Sequence, residues 1–380
     1  WRRVLLRHLG CKQPRRPRRR SRIYCAHRVL HCGKQKNEIK KHAFSKWHIL
    51  TLSMTLKGKY EQSHWAVKVI QWLGCILVLS ILAAGTMFFF EQPLSVNAMK
   101  WIQFFQSTAM FLLPPLCMAY LWSKQPLAWL SLKGYNGGKS ASGNAGYVGN
   151  AENAGNGKWS ANSMVWAVVV MLVALPAINL LAHINQQMTL PAFLEPLEAW
   201  MKRQEETAQL LTEQFMQVTT YSGLIINLLL MALLPAVAEE LTFRGVLQKL
   251  LQGTKVAEAQ SCKVPHVAIW CSAILFSAIH LQFYGFLPRM LMGALFGYAL
   301  VWTGCLWTPI LMHFTNNAAA VVLYFISLRA GWDMKQIDAI GTNNTLWLGV
   351  VCMVITIVGI YAFRRSTTIS NASSRTSNGN

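Results

Sequence analysis

Acid is what this sequence has least of. Only 14 of its 380 residues are Asp or Glu, against 36 Lys and Arg, and 13% are charged at all. Soluble domains average about a quarter. The two aspartates, Asp333 and Asp338, both lie outside the long apolar runs, which excludes a pair of membrane-depth aspartates working as acid and base. Gly-x-Ser-Gly is missing, so a serine nucleophile of the intramembrane kind has no signature, and His-Glu-x-x-His is missing too. Nine cysteines are present without a disulfide framework; Cys75, Cys117, Cys271, Cys305 and Cys352 sit in apolar runs, where Cys behaves as a small buried hydrophobe.

Apolar residues fill the space that charge leaves. They make up 53% of the chain, with 15 Trp and 17 Phe, a composition suited to lipid and its interfaces. Eight apolar segments stand out, at 69–90, 102–122, 164–181, 224–247, 267–286, 287–302, 306–328 and 346–363. Most approach or exceed the roughly 18–20 residues that cross a bilayer. In hydrocarbon each must be a helix, because an unpaired backbone group there costs several kcal/mol. The expected fold is an all-α polytopic membrane protein of about eight transmembrane helices.

The net charge of +22 is unevenly spread. Residues 1–53 hold sixteen Lys and Arg and one acid, including Arg15, Arg16, Arg18, Arg19 and Arg20. Such an arm suits nucleic acid or anionic lipid. The plainer reading, a non-native or disordered leader ahead of a start at Met54, is preferred, and no nucleic-acid partner is expected. Cys25, His27, His31 and Cys32 in that segment match no standard zinc spacing. The membrane domain is expected at 54–365, with a polar tail at 366–380. Lys57, Lys59 and Lys68 precede the first span, Lys124 and Lys133 follow the second, Lys249 follows the fourth, and Arg364 and Arg365 follow the eighth. With eight spans, the positive-inside rule puts both termini in the cytoplasm. Residues 134–157 are rich in Gly, Asn and Ser and read as a flexible loop. Residues 191–216 read as an amphipathic helix outside the membrane.

Ionisable side chains at membrane depth are expensive and usually paired or functional. They are Glu239, Glu240 and Arg244 in the fourth span, His280 in the fifth and His313 in the seventh. Arg289 sits near a span end, where it can reach the interface. Glu240 and Arg244 stand four apart, so they can pair on one helix face. Glu239, rotated about 100° away, is the carboxylate left over. Phe276 and His280 are four apart, as are His313 and Asn317, so three helices each present a polar group to one cavity. Gly293, Ala294, Phe296, Gly297 and Tyr298 read as helix-packing positions. One difficulty stands in the linear count: Glu239 lies toward one end of its span and His280 toward the opposite end of the next, about 10 Å apart in depth.

These residues resemble a known family. Glu239, Glu240 and Arg244 match the Glu-Glu-x-x-x-Arg signature of the CAAX protease and bacteriocin-processing (CPBP, or Abi) intramembrane proteases. Phe276 and His280 match their Phe-x-x-x-His motif, and His313 and Asn317 their His-x-x-x-Asn motif, all in order within 224–328. The resemblance implies a CAAX-protease-like helical bundle that hydrolyses a peptide bond of a membrane-associated substrate, either a prenylated protein or a bacteriocin precursor. It implies that Glu239 with His280 activates water, that His313 and Asn317 stabilise the oxyanion, and that Glu240 and Arg244 support them. Glu239, His280 and His313 also supply the donors for a zinc ion, and the residues leave zinc and a metal-free glutamate mechanism equally open. The family's habit implies a bacterial inner membrane. Two other readings use the same residues: a non-catalytic immunity or scaffold protein, and a proton-coupled transporter.

Overall fold

The structure is a computed structural model that describes residues 56–90, 94–133, 161–253, 265–333, 336–337 and 339–377, with side chains as far as Thr367. The basic leader, its Cys25, His27, His31 and Cys32, and the Gly/Asn-rich stretch 134–157 lie outside the described residues. Everything regular among the described residues is helical, with no strand.

Among the described residues nine principal helices follow in chain order: α1 (Trp65–Ala84), α2 (Val96–Trp122), α3 (Ala161–Gln186), α4 (Glu195–Met216), α5 (Tyr221–Gln252), α6 (His266–Ala278), α7 (Phe286–Thr303), α8 (Trp307–Ala330) and α9 (Leu346–Ser377). Seven of them belong to segments long and apolar enough to cross a membrane: Trp65–Phe89, Val96–Trp122, Ala161–Gln186, Tyr221–Gln252, Phe283–Thr303, Trp307–Ala330 and Asn343–Thr367. The all-α polytopic expectation therefore holds, with one correction to the count. The fifth apolar segment forms only a 13-residue helix, α6. At 1.5 Å per residue it is about 20 Å long, short of a hydrocarbon core of about 30 Å. At the chain's end α9 runs through the polar residues from 366 to Ser377. Ser366 and Thr367 allow this by returning their hydroxyls to the Phe363 and Arg364 carbonyls one turn back.

The packing is that of a protein in lipid. Ile70 (70% exposed) and Ile81 (63%) on α1, and Ile357 (62%) and Tyr361 (64%) on α9, face outward, while Lys100, Asn185, Asn227, Glu240, Arg244 and Gln248 are buried. Ala119, Ala167, Ala232, Ala236, Ala238, Ala273 and Ala299 are fully or almost fully buried, so helix backbones approach closely where lipid offers no hydrophobic drive of its own. Near the end of α3 the approach is closer still. Gly341, at φ +93°, lies against Pro176, and a Cβ there would stand 2.3 Å from the Pro176 carbonyl oxygen.

Pro176 lies inside α3, and in two other helices prolines follow a wider turn. Pro114 and Pro115 in α2 follow a wider π-helical turn at Thr108–Leu112, and Pro235 in α5 follows another at Leu228–Leu233. A third π-helical stretch, Leu241–Leu247, holds Arg244. Such stretches disturb the regular backbone ladder, and side-chain hydroxyls reinforce it. Ser272 donates to the Phe243 carbonyl at 3.0 Å and Thr242 to the Phe111 carbonyl at 2.8 Å.

Helix α4 is amphipathic, as its sequence suggested. Glu198 accepts from Lys202 at 2.8 Å and from the Leu190 amide at 3.0 Å, and these two donors hold its carboxyl below the usual range. Trp200 packs on Phe283, with ring centroids 5.4 Å apart, and Glu205 accepts from the Tyr284 amide. The helix is thus joined to the loop between α6 and α7. Its far end is tied by a buried relay: Lys100 on α2 donates to Asn227 Oδ1 on α5 at 2.8 Å, and Asn227 Nδ2 donates to the Phe215 carbonyl at 2.8 Å.

Asn227→Ala leaves both the Lys100 ammonium and the Phe215 carbonyl buried without their partner. A loss of about 1–3 kcal/mol is expected, read as a lower unfolding temperature in detergent; an unchanged midpoint would contradict the relay.

Candidate active site

The ionisable groups singled out in the sequence converge. Arg244 donates to Glu240 through Nη1 at 2.7 Å, and both side chains are fully buried. Its Nη2 donates to the Gly293 carbonyl of α7 at 2.8 Å. The guanidinium lies over the Phe276 ring at 4.6 Å and the Phe296 ring at 5.3 Å. A Cβ at residue 293 would stand 3.1 Å from both the Arg244 guanidinium and the Phe276 ring, so the close approach needs glycine there. The packing role expected for Gly293 and Phe296 is therefore also a supporting role for this ion pair.

Glu240 has a second partner that the spacing of residues could not show. Its Oε1 faces His313 Nδ1 on α8 at 2.9 Å. A carboxylate beside a guanidinium can only accept, so Nδ1 carries the proton. The His313 ring is stacked on Phe296 at 5.4 Å and edge-on to Phe276 at 5.9 Å. Its remaining nitrogen, Nε2, then points at Glu239, 3.9 Å from Oε2.

His280 arrives from the other side in the same way. Its Nδ1 lies 2.7 Å from the Phe276 carbonyl, which can only accept, so Nδ1 is again the protonated nitrogen. Its Nε2 stands 3.9 Å from the same Glu239 oxygen. The 10 Å depth gap expected from the sequence is absent, for two reasons. Helix α5 extends from Tyr221 to Gln252, which puts Glu239 near its middle rather than its end. Helix α6 stops at Ala278, and the chain turns back through Leu281 at φ +53°, so His280 sits where a short helix ends rather than at the far side of a full span. A non-glycine residue in the left-handed region costs of order 1–3 kcal/mol and persists only where its surroundings enforce it.

Those surroundings include a residue that the sequence reading passed over. Asn185, 2% exposed at the end of α3, donates to the Phe283 carbonyl at 3.0 Å and accepts from the Leu287 amide at 2.6 Å. Ser277 donates to the Phe286 carbonyl at 2.8 Å. With Trp200 and Glu205 of α4, these contacts clamp the turn that carries His280. An Asn at the end of an apolar helix was the available signal.

In the neutral rings both Nε2 atoms are bare acceptors aimed at a carboxylate. Three acceptors cannot satisfy one another, so the point among them suits a water molecule's hydrogens, a ring proton or a cation. The donor types and the engaged Nδ1 atoms are those of zinc ligands. The spacing is not: 3.9 Å exceeds the roughly 3.4 Å between ligand atoms on tetrahedral zinc with bonds near 2.1 Å, and no group of three His, Cys, Asp or Glu side chains among the described residues is disposed to hold a metal. Asn317, one turn beyond His313, is half-buried, and its Oδ1 accepts from Asn316 at 3.2 Å. It is on the site's helix, and its side-chain hydrogen bond goes to Asn316 rather than to Glu239 or either histidine. Arg289, expected to reach outward, instead folds back onto Gln282, donating to its carbonyl at 3.2 Å and its Oε1 at 2.9 Å.

Removing one member of the buried pair should cost far more than removing both. Arg244→Leu leaves the Glu240 charge unmet, and a loss of about 3–5 kcal/mol is expected. The double change Arg244→Leu with Glu240→Gln should recover part of it. Unfolding midpoints in one detergent measure both; equal losses would show that the pair is not coupled. Asn185→Ala should speed hydrogen exchange at residues 283–287 while leaving α8 protected.

Comparison with known proteins covers this region. Residues 221–319 match the family model for the type II CAAX prenyl endopeptidase Rce1-like domain, which takes in all of Glu239, Glu240, Arg244, His280, His313 and Asn317. The uncharacterized protein YpbD of Bacillus subtilis is 30% identical over 96 residues, covering 24% of this chain; the match spans 42% of that relative's length. No solved structure matches. Residues 221–319 are thus similar to the type II CAAX prenyl endopeptidase Rce1-like family.

Proposed function

We propose that this protein is an intramembrane endopeptidase in which Glu239 is the general base. The observation that carries the proposal is the convergence of two histidine Nε2 atoms on one oxygen of a half-buried carboxylate, 3.9 Å from each, in a region that matches an endopeptidase family. The substrate is a membrane-associated peptide or protein, of which a prenylated chain end and a bacteriocin precursor are the two forms the family resemblance suggests.

The chemistry follows from the hydrogen bonds. A water molecule between Glu239 and His280 gives one hydrogen to the carboxylate and the other to His280 Nε2, whose Nδ1 is fixed by the Phe276 carbonyl. Its oxygen lone pairs are thereby turned to the open side, toward a peptide carbonyl. Glu239 takes the proton as the new carbon–oxygen bond forms. The oxyanion needs donors, and His313 offers Nε2, the nitrogen left after Nδ1 engages Glu240. Donation through Nε2 requires the doubly protonated ring, whose charge lies between the Glu240 and Glu239 carboxylates. Asn317, freed from Asn316 by a rotation, supplies a second donor through its amide. Glu239 then returns its proton to the leaving amine. Water is scarce in such a site, and donors held in place there gain strength because they need no reorganisation. If the protein binds zinc, Glu239, His280 and His313 would hold it and it would polarise the carbonyl; none of the steps above depends on it.

In a reconstituted cleavage assay, Glu239→Gln should lower the rate by at least about 10²–10⁴-fold with the fold intact. Asn317→Ala should lower kcat by about 10²-fold or more with little change in KM, as befits a donor used only in the transition state. Cleavage that survives Glu239→Gln would end this reading. Metal content of the purified protein, and activity in chelator, decide the place of zinc: retained activity without metal supports the water-only route.

A further inference from the structure

Glu240, Arg244 and Gln248 stand four residues apart on one face of α5, and all three are sealed in, at 0%, 0% and 1% exposure. Arg244 and Gln248 reach the backbone of α7 in parallel rungs. Arg244 Nη2 donates to the Gly293 carbonyl at 2.8 Å, and Gln248 Nε2 donates to the Gly297 carbonyl, one turn on, at 3.5 Å. A Cβ at residue 297 would stand 2.8 Å from Gln248 Oε1 and 2.9 Å from Ile269 of α6. The amide therefore lies against this glycine, with Ile269 beside it.

Each of the three side chains also keeps one atom unmet. Glu240 Oε2, Arg244 Nε and Gln248 Oε1 are enclosed and have no hydrogen-bond partner among the described residues. Turning the Gln248 amide over would not help, since its oxygen would then oppose the Gly297 carbonyl. Buried polar atoms left in this way are expensive, the more so on charged groups, and they call for a guest. The chemistry of the atoms names it. Two are acceptors, and the Arg244 Nε–H between them along the helix is a donor. A cation suits the two oxygens but not the guanidinium; an anion suits the guanidinium but not the carboxylate. Water suits all three, accepting from Nε–H and giving its hydrogens to the oxygens. Buried waters typically make about three such bonds.

Resting on the endopeptidase reading above, we propose that bound water fills the seam between α5 and α7 behind the ion pair, and that Gln248 is a positioning residue acting through it. Gln248 Oε1 fixes the water, and the water holds Arg244 and the second oxygen of Glu240. Glu240 in turn sets which nitrogen of His313 faces Glu239. Gln248 is thereby tied to the site from two turns away without touching a reacting atom.

The test uses the full chain in nanodiscs and two substitutions that a dry seam and a wet one rank in opposite order. Gln248→Met keeps the length of the side chain and removes its polar atoms, whereas Gln248→Asn keeps the amide and shortens it. In a dry seam Gln248→Met would match or exceed the parent in stability, because losing an unmet polar group is neutral or favourable, and Gln248→Asn would be the worse for its cavity. With water present, Gln248→Met should lower the unfolding midpoint by about 2 °C or more, and Gln248→Asn by less, since a further water makes up the length. In the cleavage assay Gln248→Met should lower kcat about tenfold or more at unchanged KM, as a displaced group does, and Gln248→Asn should recover most of the loss.

The water itself is read by radiolytic hydroxyl labelling, in which a bound water oxidises the side chains it touches even where bulk solvent is excluded. Ile269, 1% exposed, should be labelled in the parent and in Gln248→Asn and spared in Gln248→Met. Met171, as deeply enclosed but in the apolar cluster around Phe296 and Phe363, should stay unlabelled throughout. Should Gln248→Met fail to fold, Gln248→Asn and the labelling of the parent still decide. A midpoint or kcat unchanged by Gln248→Met, a larger loss in Gln248→Asn than in Gln248→Met, or an unlabelled Ile269 would each overturn the proposal. Absence of cleavage by the parent chain counts against the endopeptidase reading alone, because midpoints and labelling are measured without substrate.

Discussion

The site is built around the buried contact between Arg244 and Glu240. Two full charges at 0% exposure would each cost several kcal/mol alone in a low-dielectric interior, so the pair survives by meeting each other and by the contacts packed around it. The Gly293 carbonyl takes one guanidinium nitrogen, two phenylalanine faces cover it, and His313 Nδ1 shares the Glu240 oxygen. Each of these fixes something else: the approach of α7 to α5, the rotation of α8, and the tautomer of a histidine. A pair that looks structural thus decides which nitrogen of His313 faces the reacting carboxylate.

Glu239 gains its position by contrast with its neighbour. Adjacent on one helix, the two carboxylates point about 100° apart. One is consumed by internal pairing and the other is left half-buried with only histidine acceptors near it. The same lipid-bounded setting that makes an unpaired charge costly makes a water, proton or anion brought to it strongly held.

The loop between α6 and α7 is the least conventional part of the bundle. A short helix, a left-handed leucine at 281 and a turn at membrane depth would be untenable in lipid, where free backbone groups have no water. Asn185, Ser277, Glu205 and Arg289 supply the missing partners from four directions. That is why the amphipathic helix α4 matters to the site although it bears none of its reacting groups: Trp200 and Glu205 brace the turn that delivers His280.

The sequence by itself determined the medium and the inventory. Long apolar runs demand membrane helices whatever the neighbours do, and a polar side chain inside such a run advertises itself because it is so expensive there. Glu239, Glu240, Arg244, His280, His313 and Asn317 were all legible on that ground, as was the pairing of Glu240 with Arg244, since four residues on a helix is a local distance. What crosses between helices was not legible. The link from Glu240 to His313 spans 73 residues, and that from Asn185 to Leu287 spans 102. The stopping point of α6, which turned a 10 Å separation into 3.9 Å, depends on partners contributed by α3 and α4. Hydropathy reports how apolar a segment is and nothing about where its backbone can afford to turn. Only the tertiary structure decided that, because the groups able to satisfy a turn inside lipid come from elsewhere in the chain.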